Sequence, residues 1–115
     1  MIKEDLVRSF VLGFGKSIIL WLLDIESRSG YELISEIRRM TGVELGPGLI
    51  YPFLHLLEEK DYVTGKWVQK TGRRVKQYRL TTKGRALLEK GKELLKSPVR
   101  EVFLDLIKCP SHDSF

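Results

Sequence analysis

A single cysteine, Cys109, stands in a chain of 115 residues. No intrachain disulfide can form, and nothing requires an oxidising compartment. Long apolar runs are missing as well. The densest, residues 18–23, stops at Asp24 and is far too short to span a bilayer, so no membrane partner is expected. A secretory leader is not expected: Glu4 and Asp5 occupy the would-be basic region, and no small-x-small cleavage site follows the apolar run. A cytoplasmic protein is the expectation. There is no internal repeat and no low-complexity stretch.

Clustered reactive groups are also lacking. The carboxylates are scattered, and the two histidines, His55 and His112, fall on unrelated segments. No nucleophile, acid–base pair or metal set emerges, which speaks against an enzyme. Gly13-Phe14-Gly15-Lys16 lacks both the preceding strand and the full spacing of a phosphate-cradling loop. Cys109 and His112 are spaced like two metal ligands, but two ligands do not make a site. Neither a metal nor a cofactor is expected.

Acid is scarcest in residues 60–85, where Lys60, Lys66, Lys70, Arg73, Arg74, Lys76, Arg79, Lys83 and Arg85 face only Asp61. This stretch carries net +8 in a chain whose total is +5. The basicity is therefore local, and a focused positive field attracts and orients a polyanion. A solvated charged hairpin is the plainer reading of a charge run taken alone.

The length suits one domain with a modest core. Leu6, Val7, Phe10, Val11 and Phe14 recur at helical spacing, and the half from Ile18 to Ile25 is apolar nearly all round. Such a helix needs more than one packing partner, the core and a second subunit being the candidates. Ser29 and Glu32 have capping-box spacing, so a helix is expected from about Gly30, with Leu33, Ile34, Ile37 and Met40 buried and Gly42 just past its end. A short turn follows. Ile50, Phe53, Leu54 and Leu57 then form a stripe on a helix starting near residues 47–49, with Pro52 expected in its first turn.

Residues 62–68 and 75–80 are β-branched and aromatic and are expected as strands, joined by a turn around Gly72. Trp67 is expected to pack at the base of this hairpin. Thr81 or Thr82 would cap a further helix from Lys83, and Pro98 suits the start of a last one. The tail 109–115 has no periodicity and is expected to be mobile.

The order helix, helix, turn, helix, basic hairpin, helix is that of a winged helix. The fold class expected is mainly α with a small two-stranded β-hairpin: a winged helix-turn-helix with N- and C-terminal dimerisation helices. Residues 1–81 would form the DNA-binding unit, 82–108 the C-terminal dimerisation helix or helices, and 109–115 a tail. The third helix is wide enough to fill a major groove, and the wing, residues 69–76, would reach the backbone or minor groove.

Three blocks make a family resemblance specific. Gly30-Tyr31-Glu32-Leu33, then Pro47-Gly48-Leu49-Ile50-Tyr51-Pro52-Phe53-Leu54-His55 with Leu57-Glu58, then Gly72-Arg73-Arg74 leading into Lys76-Gln77-Tyr78-Arg79-Leu80-Thr81 with Gly84, resemble the PadR family of transcriptional regulators over roughly residues 16–90. The resemblance implies a winged-helix repressor that dimerises through its terminal helices and turns Tyr31, Leu49, Tyr51 and the wing toward double-stranded DNA. Position 49 is Leu where the family usually has threonine or serine. Leu56 stands where a basic residue is common, and Asp61 replaces the usual glycine.

The candidate DNA contacts are Tyr31, Leu49, Tyr51, His55, Lys70, Arg73, Arg74 and Lys76, although Lys76 and Arg79 could instead lie along the sheet. Candidates for a homodimer interface are Phe10, Phe14, Leu87, Leu94, Val99, Val102, Phe103 and Leu106. Trp21 is read first as core; the alternative is the wall of a pocket for a small apolar or aromatic effector. The competing function is a winged-helix protein–protein adaptor with little sequence-specific DNA affinity, which Leu49 and Leu56 favour and the basic wing opposes.

Overall fold

The computed structural model describes residues 2–96 and 99–108, with side chains from residue 13 onward except Phe14 and Val99. The expectations for Pro98, Cys109, His112 and the tail lie outside the described residues, as do those for the side chains of Phe10, Phe14 and Val99. The chain runs α1 (Ile2–Ile25), β1 (Arg28–Ser29), α2 (Gly30–Thr41), α3 (Pro47–Glu59), β2 (Val63–Lys70), β3 (Arg73–Leu80), α4 (Thr82–Lys96) and α5 (Val99–Lys108). No helix among the described residues is long and apolar enough to cross a membrane.

α2 starts where its cap places it. The Glu32 N–H donates to Ser29 Oγ at 3.1 Å, and the Ser29 N–H donates to Glu32 Oε1 at 2.8 Å, so two orphan amide donors are satisfied reciprocally. Gly42 closes the helix, its N–H donating to Arg38 O at 2.8 Å. α3 begins at Pro47, but Pro52 lies beyond the first turn, inside the helix. Its missing N–H deprives the Gly48 carbonyl of a partner, and Gly48 is exposed, so water can serve that group instead.

The sheet has three strands, not two, in the order β1-β3-β2, all antiparallel. Arg28 and Ser29 pair with Tyr78 and Gln77, so Ser29 both ends a strand and caps a helix. The hairpin is also longer than expected. Pairing continues out to Lys70 and Arg73 because the turn is only Thr71-Gly72, with φ of 46° and 77°. Two successive positive φ values make the tight hairpin turn whose twist matches that of the strands.

The core gathers Ile19, Leu22 and Leu23 of α1, Leu33 and Ile37 of α2, Leu45, Ile50, Leu54 and Leu57 of α3 and its entry, Val63, Tyr78 and Leu80 of the sheet, and Leu88 of α4. Two expectations for buried side chains fail. Met40 is exposed at the last turn of α2. Trp21 is 40% exposed and Ile25 55%; Trp21 points away from the stripe that buries Ile19, Leu22 and Leu23, so the core does not account for it. α4 is joined to the sheet by Thr81, whose Oγ1 accepts the Gly84 N–H at 3.0 Å and donates to Asp61 O at 2.6 Å. Gly84 packs directly on the Tyr62 carbonyl, which leaves no room for a Cβ.

Candidate nucleic-acid interface

One face of the hairpin runs from core to solvent. Val63, Gly65, Trp67 and Gln69 on β2 stand opposite Leu80, Tyr78, Lys76 and Arg74 on β3. Successive pairs along this face pass from buried to exposed, so the root is anchored and the cationic end projects. Between that end and the first turns of α2 and α3 lies an open groove of about 810 Å³, lined by Ser29, Tyr31, Glu32, Tyr51, Trp67, Lys70, Thr71, Arg73, Arg74, Val75 and Lys76.

Six of the eight candidate DNA contacts meet here: Tyr31, Tyr51, Lys70, Arg73, Arg74 and Lys76. Tyr31 is 72% exposed. Tyr51 is half-buried, its ring lying over Gly30, where an added Cβ would come within 2.5 Å of Cε1. Leu49 and His55 do not line the groove. They belong to the outer side of α3, where Gly48, Pro52, His55, Leu56 and Glu59 are exposed, opposite buried Ile50, Leu54 and Leu57.

The wing cations are not equivalent. Lys70 Nζ lies 3.0 Å from Glu32 Oε2 and Lys76 Nζ 3.0 Å from Glu58 Oε1. Lys76 thus runs along the sheet, over the rings of Trp67 and Tyr78 at 5.9 and 5.4 Å. Arg74 stacks on Trp67 at 5.1 Å, a contact worth about 0.5–1 kcal/mol at an exposed site. Arg73 is exposed and makes no ion pair among the described residues.

Trp67 is 56% exposed, carries both cations and lines the groove. It does not pack at the hairpin base as expected. Its alternation with Gly65 and Gln69 opposite Lys76 was the available signal. Glu32 was also missed as more than a cap: besides Lys70 it accepts from Gln77 Nε2 at 3.1 Å. The Ser29 N–H, donating to its carboxylate, holds the Glu32 pKa below the ordinary 4.5; partial burial opposes this and Lys70 reinforces it.

Residues 19–90 match the model of the Transcriptional regulator PadR-like family. The chain belongs to the PadR-like family. Comparison with curated proteins finds no match. Among solved structures, the chain is similar to a PadR-like transcriptional regulator from Bacillus cereus, with 24% identity and a TM-score of 0.78 over 89% of this chain and 99% of that one. A putative transcriptional regulator from Thermoplasma acidophilum is 25% identical, with a TM-score of 0.72 over 90% and 97%. Bacillus subtilis PadR, solved in complex with operator DNA, is 25% identical, with a TM-score of 0.61 over 87% of this chain and 50% of that chain. The β2–β3 hairpin beside α2 and α3 is thus the wing of a PadR-like winged helix.

Of the candidate dimer residues, Phe10 and Phe14 belong to α1, and those whose side chains are described lie on α4 and α5. Leu87, Leu94, Val102 and Leu106 are exposed, as are Leu95 and Ile107, while Phe103 is half-buried. Among the described residues, no group of three or more His, Cys, Asp or Glu could hold a metal ion.

Proposed function

We propose that this PadR-like protein is a cytoplasmic, homodimeric, sequence-specific double-stranded DNA-binding regulator that acts as a repressor. α3 enters the major groove, and the wing tip, residues 69–76, contacts the backbone or minor groove. The observation that carries this reading is the convergence of two tyrosines and four wing cations on one open groove beside the start of α3. The operator complex of Bacillus subtilis PadR supports it.

The dimer rests on exposed apolar side chains of α4 and α5, Leu87, Leu94, Val102 and Leu106, the kind of surface that marks a protein–protein contact where it is contiguous. A two-fold would set the two α3 helices about 34 Å apart, one helical turn of DNA. Trp21, exposed and not needed by the core, is the residue a small apolar or aromatic effector would meet.

The test is a gel-shift titration against random duplex libraries at two salt concentrations, with sedimentation of the free protein. Selection of a common sequence with salt-sensitive affinity, by a protein that sediments as a dimer, supports the regulator. Weak binding without preference points to the adaptor reading, which the apolar outer side of α3 favours.

A further inference from the structure

The outer side of α3 is unusually poor in hydrogen-bonding side chains for a base-reading helix. Gly48, Leu49, Pro52 and Leu56 offer none, and Glu59, at the last residue, repels phosphate. Besides Glu59, His55 is the one polar side chain there. Leu56 is 43% exposed and lies outside the core, and Leu49 is half-buried at its edge. Bidentate recognition of guanine or adenine needs Arg, Lys, Asn or Gln, and α3 contains none of these. What this surface can recognise by contact is the apolar feature of the major groove, the C5 methyl group of thymine.

We propose that this chain reads its operator chiefly through thymine methyl groups, received by Leu49, Pro52 and Leu56, with His55 as the hydrogen-bonding reader on that side of α3. The inference rests on the DNA-binding reading above and specifies its ligand as duplex bearing thymines toward α3. Charge favours DNA over an apolar protein partner. The strip belongs to the helix that runs directly into a segment of net +8, and a cationic element next to an apolar helix face suits phosphates beside a methyl-studded groove floor.

The experiment begins with the duplex selected from a random pool. Each thymine is replaced in turn by deoxyuridine, which removes the methyl and keeps the hydrogen-bonding pattern. Burying one methyl is worth about a fourfold change in affinity, so deoxyuridine at a contacted thymine should weaken binding about fourfold. Leu56→Ala, at an exposed position, should abolish that loss at one thymine of each half-site, while thymines outside the contact behave alike in both proteins.

If a sequence is selected and bound but deoxyuridine is neutral throughout, methyl readout is overturned and the regulator stands. If deoxyuridine weakens binding equally for wild type and Leu56→Ala, and equally again for Leu49→Ala, the assignment to α3 is overturned, because the methyl then acts through duplex shape. Failure to select any duplex overturns both readings.

Discussion

Replacing Arg73 and Arg74 together by alanine should change the salt dependence of DNA binding without unfolding the protein. Both side chains are exposed at the tip of the wing. Among the described residues Arg73 has no ion-pair partner and Arg74 is tied only to the Trp67 ring, so neither supports the core. Each phosphate contact contributes about 0.9 to the slope of log affinity against log salt. Losing two lowers the slope by about 1.8. Over a fourfold rise in salt, from about 50 to about 200 mM, the wild type should therefore lose roughly 12-fold more affinity than the double variant. Fluorescence anisotropy with a selected and a scrambled duplex measures this, and the change should be the same for both, because phosphate contacts carry no sequence information. Arg79, exposed but outside the groove, is the control. A slope unchanged in the double variant, or reduced equally by Arg79→Ala, would refute the wing tip as the phosphate contact.

Gly84→Ala should cost about 2–3 kcal/mol in urea unfolding, because its Cβ meets the backbone carbonyl of Tyr62, which cannot rotate away; a cost below about 0.5 kcal/mol contradicts the packing. Thr71→Asn should raise the melting temperature by stabilising the wing by about 0.5–1 kcal/mol, since a β-branched residue sits at φ 46° where Asn is preferred; calorimetry with no increase rejects this turn geometry. The Glu32 carboxyl titrates below 4.5 when folded. Its contribution to stability is therefore complete above the unfolded value and disappears as pH falls through the depressed folded one. Acid unfolding followed by circular dichroism should show a flatter decline below pH 4.5 for Glu32→Gln than for wild type.

The elements readable from sequence were those whose signals are local. The Ser29–Glu32 box and Gly42 bounded α2, because caps act within one turn of backbone; the start of α3 near residues 47–49 was placed correctly although Pro52, the residue used to place it, lies inside the helix. β1 was not readable: two residues cannot display an alternation, and Ser29 already had a sufficient role as a cap. Trp21 was misjudged because a segment apolar on nearly every side does not indicate which side is buried. The groove itself depended on contacts between distant residues. Tyr51 lies over Gly30, and Lys70 meets Glu32 across 38 positions. The motifs held Tyr31, Tyr51, Arg73, Arg74 and Lys76 of its lining but not Trp67; its geometry arose only when hairpin and helices were packed together.

The pairing of Lys70 and Lys76 with Glu32 and Glu58 does not disarm the wing. Both pairs sit at the surface, with side-chain exposures of 51% and 40% for the first and 26% and 33% for the second. Such pairs are worth roughly 0–1 kcal/mol each. In the proposed complex, a phosphate that replaces the carboxylate would add the entropy of a released counterion, and low salt would favour that exchange. What the carboxylates contribute beforehand is orientation, since holding a long side chain saves about 0.5–1.5 kcal/mol of ordering on binding. Glu32 extends this further. The carboxylate that closes the α2 cap also receives Lys70 from β2 and Gln77 from β3. The wing is therefore held in register with the helix that buttresses α3. A hairpin joined only through its root would leave the spacing between α3 and the tip, the two elements proposed to meet bases and phosphates, to thermal motion.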